Sequence, residues 1–141
     1  MTYLLDTHVW LWMLADPSRI RPDLAAELQA HQTRLLLSAA SSWEIAIKWA
    51  VGRLSLPEPP ATYVPSRMQR TNVESLAVTH PHALQVATLP RHHRDPFDRV
   101  LIAQAQLEGV AIVTADRALD DYDVETIHAG RGARGDVTTD I

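Results

Sequence analysis

DPFDRVLIAQAQLEGVAIVTAD, residues 95–116, places a helix and a strand back to back and puts an acidic residue at the start of one and the end of the other. Asp95 and Pro96 suit a helix start, because Asp is a favoured N-cap and Pro fits the first helical position. PFDRVLIAQAQLEG is the clearest helix in the chain, and Gly109 ends it before the strand VAIVTA. Asp98 therefore falls in the first turn of that helix, and Asp116 at the end of that strand.

The same pattern repeats outward. TYLLD predicts a buried strand that delivers Asp6 into the helix HVWLWMLA, and PDLAAELQAH predicts another helix with Pro22 in its first turn. RLLLS is the second strand, followed by a helix over SSWEIAIKWAV that carries Glu44 and ends at Gly52. The prolines of GRLSLPEPP forbid regular structure, and the helix over ATYVPSRMQR is expected to break or kink near Pro65. VESLAV predicts the third strand, HPHALQVATL a helix, RHHRDP a polar loop, and VETIH a final strand after a short helix beyond Asp116. Strands separated by helices imply a parallel sheet covered on both faces, an α/β/α sandwich. No linker divides the chain, so residues 1–127 are expected to form a single domain. The remaining 128–141, GRGARGDVTTDI with His128 and Ala129, are expected to be a frayed tail, and its RGD triplet is assigned to chance.

Composition narrows the class. The 141 residues are 46% hydrophobic and 21% charged, enough for one domain with a sizeable core. There is no cysteine, hence no disulfide framework, thiolate zinc site or thiol nucleophile, which favours a cytoplasmic setting. The opening segment lacks a basic n-region and is interrupted by Asp6 and His8, so it is not read as a signal peptide. No apolar run is long enough to span a bilayer. A net charge of -4 argues against a generally basic nucleic-acid-coating protein, so any polyanion needs local basic patches.

Asp6, Glu44, Asp98 and Asp116 each have a structural explanation. Asp6-Thr7 can cap the first helix, Ser41 and Glu44 fit a capping box, and Glu44 can pair with Lys48 one turn later. Asp95 and Asp98 repeat the capping-box spacing, and Asp116 can cap a short helix. Jointly that account weakens. Asp98 shares a helical face with Ile102 and Ala105, and Glu44 lies between Trp43 and Ile45, so both acids face apolar surroundings that acids rarely enter without a partner. The carboxyl ends of parallel strands share one edge of the sheet, and ligands bind there. Clustered carboxylates repel one another unless a cation neutralises them, and hard oxygen donors suit Mg²⁺ or Mn²⁺. Such a site hydrolyses phosphodiesters.

At LLDTHVWLW, SAASSWEIAIKWAVGRLSL, HRDPFDRVLIAQA and VTADR, taken in this order, the sequence resembles the PIN-domain ribonucleases, especially the VapC toxins of bacterial and archaeal toxin–antitoxin pairs. The resemblance runs from Met1 to about Ile127. It implies a PIN-like sandwich and a metal-dependent endoribonuclease whose acidic site falls on Asp6, Glu44, Asp98 and Asp116. Asp6 and Asp98 are then expected to ligate Mg²⁺ or Mn²⁺ directly, while Glu44 and Asp116 ligate a second ion, bind through water or orient the nucleophile. Thr114, in the family's Thr/Ser-x-Asp element, can position a water or phosphate, although a backbone partner is the commoner fate of such a hydroxyl. Single-stranded RNA loops, an antitoxin protein and a second copy of the chain are the implied partners. Arg91, His92, His93 and Arg94 are the preferred phosphate contacts, with Lys48, Arg53, Arg67 and Arg70 as further candidates. The four tryptophans, at 10, 12, 43 and 49, are assigned to core or interface.

Other classes fit less well. The chain has no room for the helical elements by which a flap-endonuclease-like DNA nuclease threads its substrate. A haloacid-dehalogenase-type phosphatase needs a second Asp two positions after the first, where this chain has His8. A non-catalytic α/β partner-binding module, with its acids as caps, is the alternative that a metal titration separates.

Overall fold

Alternate residues of the first strand feed two different cores. In the computed structural model, which describes residues 1–91 and 95–130, β1 (Thr2–Leu5) sends Tyr3 and Leu5 to one face and Leu4 to the other, and all three are buried. Its neighbours repeat this, with Leu35 and Leu37 opposite Leu36 in β2 (Arg34–Ser38) and Ala111 and Val113 opposite Ile112 in β4 (Ala111–Thr114). Strands apolar on both sides need cover on both sides, which parallel sheets obtain from their crossover helices.

The first face is covered by α1 (Thr7–Ala15), α2 (Pro22–Gln29), α3 (Ala39–Ala50) and α4 (Pro60–Thr71), which contribute Val9, Trp10, Leu24, Leu28, Ile45, Tyr63 and Val64. The second is covered by α6 (Pro96–Glu108) through Leu101, Ile102 and Ala105, with Leu119 and Tyr122 beside them. The short α5 (His80–Gln85) packs on α6, where buried His82 bonds Glu108 at 2.9 Å. With β3 (Val73–Leu76) and β5 (Thr126–His128), five strands pair in parallel in the order β3-β2-β1-β4-β5. The expected α/β/α sandwich with a central parallel sheet is what forms.

The strand order reverses between β1 and β4, because the chain first builds outward through β2 and β3 and then crosses to the far side of β1. Such a switch point opens a crevice at the strands' carboxyl ends. Register sets what lines it. Leu5 pairs with both Leu37 and Val113, so the next residues, Asp6, Ser38 and Thr114, stand side by side at one edge.

Three local expectations change. Helix α4 runs unbroken through Pro65, with buried Tyr63 and Val64 anchoring it just upstream; one missing amide bond is outweighed by that packing. The assignment of the tryptophans to core or interface narrows: Trp10 is fully buried, and Trp12 is partly covered with the Arg19 guanidinium 4.8 Å from its ring centre, but Trp43 and Trp49 are exposed and do not belong to the core. The boundary expected after residue 127 falls inside a strand. His128 pairs with Thr114, and buried Ala129 donates its amide to the Thr114 carbonyl at 2.8 Å. The RGD triplet lies outside the described residues.

Gly109 ends α6 in the left-handed region at φ +68°, with nothing within 4 Å of where a Cβ would stand. Gly109→Ala therefore meets backbone strain alone and should cost about 1 kcal/mol in a denaturant melt. A neutral or stabilising result would contradict this account of the turn.

Candidate active site

Asp6 follows β1 and opens α1, yet its carboxylate does not cap that helix. Instead Oδ2 accepts a 2.7 Å hydrogen bond from the hydroxyl of Thr114, across the crevice between β1 and β4. The Asp6 amide donates to the Val113 carbonyl at 2.9 Å, extending the sheet by one bond. Asp6 is 3% exposed and Thr114 wholly buried. The same Thr114 oxygen accepts the Asp116 amide at 3.0 Å, so one hydroxyl ties two of the four acids together. The backbone partner expected of such a hydroxyl is the Asp116 amide, and the Asp6 carboxylate is a second, side-chain partner.

Glu44 reaches the site by a different route from the capping box expected. The cap of α3 is Ser38, whose Oγ accepts the Ala40 amide at 2.9 Å, so the helix starts three residues before Ser41 would have begun it. Ser41 is freed for a buried 2.7 Å hydrogen bond from the Thr7 hydroxyl, which pins the start of α1 to the start of α3. Glu44 then lies in the second turn, 3% exposed, with the Lys48 ammonium 3.0 Å from Oε2. A carboxylate so buried needs such a partner.

In α6, Asp95 caps as expected, accepting the Phe97 amide at 2.9 Å. Asn caps about as well as Asp, so Asp95→Asn should shift the melting free energy by less than about 0.5 kcal/mol and largely preserve any activity. A strongly destabilised or inactive variant would give Asp95 a role beyond the cap. Asp98 sits two residues inside the helix. Burial, and then the facing charges of Asp6, Asp95, Glu44 and Asp116, push its carboxyl from an ordinary 3.8 up to about 9. That shift joins all four predicted acids in one electrostatic cluster. Asp116 also caps, its Oδ1 taking the Ala118 amide at 2.9 Å.

Sequence reasoning passed over three contributors. Thr7 and Ser41 read as capping residues, and only packing pairs them. His8 lies with Nδ1 4.0 Å from Asp6 Oδ1. Burial pulls its imidazole down, but the Asp6 and Glu44 carboxylates outweigh that and leave its pKa raised. A 4.0 Å separation is an ion pair rather than a hydrogen bond.

The basic candidates divide. Lys48 is in the site. Arg67 is held by Glu58 at 2.7 Å and lies over the Tyr63 ring, and Arg70 lines a cavity of about 440 Å³ by the amino ends of the strands, away from the carboxylates. Arg53 and Arg91 are exposed, while His92, His93 and Arg94 lie outside the described residues.

Among the described residues no three His, Asp or Glu side chains are grouped so as to enclose an ion as they stand. Glu44 is bonded to Lys48 and Asp6 to Thr114. The donor set nevertheless fits a hard divalent cation. It is all carboxylate, and burial together with the neighbouring carboxylates, which raise the Asp98 pKa, disfavours an ionised site that a cation would stabilise.

The PIN domain family matches residues 3–125. The chain is 31% identical over 122 residues to Ribonuclease VapC22 of Mycobacterium tuberculosis, covering 86% of this chain and 92% of that protein. A shorter match to Ribonuclease VapC16 of the same organism is 51% identical over 57 residues and spans only 40% of each chain. The fold superposes on a chain from the crystal structure of VapBC2 from Rickettsia felis bound to a DNA fragment from its promoter, with TM-score 0.69, 15% identity and coverage of 92% of this chain and 99% of that one. DNA-bound VapBC from Salmonella typhimurium gives 0.63 at 18% identity, over 91% of this chain and 97% of that one. By its matched domain, its full-length relative and the geometry of its sheet, this chain belongs to the PIN-domain family of VapC-type proteins.

Proposed function

We propose that this protein is a divalent-metal-dependent endoribonuclease, the toxin of a VapBC-type toxin–antitoxin pair. The observation that carries the proposal is the convergence of Asp6, Glu44, Asp98 and Asp116 at the switch point, registered by the charge they impose on Asp98. A VapC ribonuclease similar along nearly its whole length supports the substrate class.

Asp6 and Asp98 would hold Mg²⁺ or Mn²⁺ directly, with Glu44 and Asp116 contributing through water or at a second ion. When bound, the ion supplies a lowered pKa for an attacking water and charge stabilisation for the phosphate and leaving oxygen. The chain's own residues do the rest. Thr114 holds the Asp6 carboxylate in one orientation and, through the Asp116 amide, fixes the distance between the two strand-end acids. Thr7 and Ser41 lock the helix starts that carry Asp6 and Glu44. Lys48 balances Glu44 and stands where a phosphate oxygen could draw it away.

Single-stranded RNA is the proposed substrate, since its unpaired bases can splay onto a protein surface. Purified protein should cut such RNA with Mn²⁺ or Mg²⁺ and stop when the ion is chelated, and sequencing the product ends would define the bond. RNA left intact at every metal concentration, with no Mn²⁺ binding, would favour the non-catalytic partner-binding module; cleavage of DNA alone would favour the DNA nuclease.

A homodimer and an antitoxin complete the proposal. The antitoxin is expected to block the acidic crevice with an Arg whose guanidinium takes the place of the ion's charge. Sedimentation at micromolar concentration should show a dimer; a monomer at all concentrations would remove that part.

A further inference from the structure

Trp43 is the side chain near the crevice that the carboxylate cluster does not explain. It directly precedes Glu44 in α3, yet 62% of it is exposed where Glu44 is 3% exposed. An indole this accessible forgoes burial that its size would reward, so its position calls for a ligand or partner. Its ring meets Phe97 edge-on, with centroids 5.2 Å apart and planes at 79°. Phe97 in turn directly precedes Asp98. The aromatic pair bridging α3 and α6 is thus formed by the two residues that stand immediately before two of the site's acids.

Edge-on contact orients a ring while occupying at most one of its faces. Flat aromatic surface is therefore presented to solvent at a defined place beside the carboxylates. On a chain of net charge -4 the phosphates of an RNA strand are attracted at the proposed cation and at Lys48 but not by the protein as a whole, so attraction that does not depend on charge adds to binding. Base stacking on an aromatic side chain supplies it, and does so for any base, because every base has a π-face.

We infer that Trp43 is a stacking subsite for an unpaired RNA base adjoining the scissile phosphate, with Phe97 setting the orientation of its ring. This rests on the ribonuclease reading above. The same helix face continues through Ile47 and Val51, which are also exposed, and a second protein chain is the competing occupant. The base is favoured because Trp43 touches the turn that carries Asp98, and because the partly exposed Lys48 ammonium follows one turn later in the same helix, where a dry protein interface would have to desolvate it.

The test uses full-length Asp98→Asn protein, chosen to bind without cutting, and ten-nucleotide oligouridylate and oligoadenylate with Mn²⁺ present. Adding Trp43→Ala should weaken both oligonucleotides by about 5- to 150-fold, the range for losing one stacked base. Trp43→Phe should retain most of the affinity, and Val51→Ser, equally exposed at the C-cap of the same helix, should retain all of it. In the otherwise wild-type protein Trp43→Ala should raise KM with little change in kcat, and sedimentation should be unaltered. Equal affinity with and without Trp43 would overturn the stacking subsite and leave the ribonuclease reading intact. Losses shared by Trp43→Ala and Val51→Ser, accompanied by a fall from dimer to monomer, would assign the face to a second copy and overturn the proposal. No RNA binding by Asp98→Asn, with no cleavage by wild type, would overturn it together with the ribonuclease reading.

Discussion

Asp98→Asn should reduce RNA cleavage by about 1000-fold or more and make the metal-free fold more stable. The first effect follows from deleting one charge of a site whose ion is worth several kcal/mol of transition-state stabilisation. The second follows from the raised carboxyl. A proton held at about 9 in the folded chain, against 3.8 for the ordinary group, means that the ionised side chain opposes folding. Stability of the wild type without metal should therefore be highest below about pH 4 as far as this group is concerned, and should fall as pH rises from there toward 9. The neutral amide removes that slope, giving a gain on the order of 1–3 kcal/mol near neutral pH. Added Mn²⁺ should raise the wild-type melting temperature and have little effect on the variant. Melting curves across pH, with and without Mn²⁺, and cleavage assays on the same preparations test both effects. Full activity in Asp98→Asn together with loss in Asp95→Asn would reverse the assignments of the two acids, and full activity in both would remove the α6 turn from the mechanism.

Thr114→Val is the second large effect. Valine matches threonine in shape but has no hydroxyl, so the Asp6 carboxylate loses its buried donor and the Asp116 amide its acceptor at one stroke. Leaving buried polar groups without partners costs about 1–3 kcal/mol, and loss of a group that orients a metal-binding carboxylate lowers affinity or activity by about 10- to 100-fold. Thr114→Ser should restore most of both, because it returns the oxygen. Wild-type Mn²⁺ affinity and turnover in Thr114→Val would show that Asp6 is oriented by something else.

Much of this protein is written locally. The run VLIAQAQLEGVAIVT reads as helix, stop and strand because Gly109 supplies the left-handed turn between an amphipathic period and an apolar run, and the structure places α6, Gly109 and β4 there. Asp95 caps for the same local reason, one side-chain oxygen two residues from an amide that no helix turn can satisfy. Alternating strands and helices likewise specify a parallel sheet, and hence a common edge for the acids that end the strands.

Other features depend on distance in space, which spacing along the chain does not encode. Ser41 has the local chemistry of a cap, but Ser38 is the residue at the strand's end, and tertiary contact with Thr7 gives Ser41 its partner. Thr114 is 108 residues from Asp6, and the 2.7 Å bond between them exists because the sheet order sets β4 against β1. Tryptophan burial escapes local reading for the same reason. Trp10 and Trp43 have the same local character on apolar helices, but the sheet covers one completely and leaves the other in water beside Glu44. Sequence by itself determined which residues can make strands, helices, caps and an acidic site. Tertiary structure decided which of them meet, because side-chain partners and solvent exposure are properties of the packed layers rather than of any one segment.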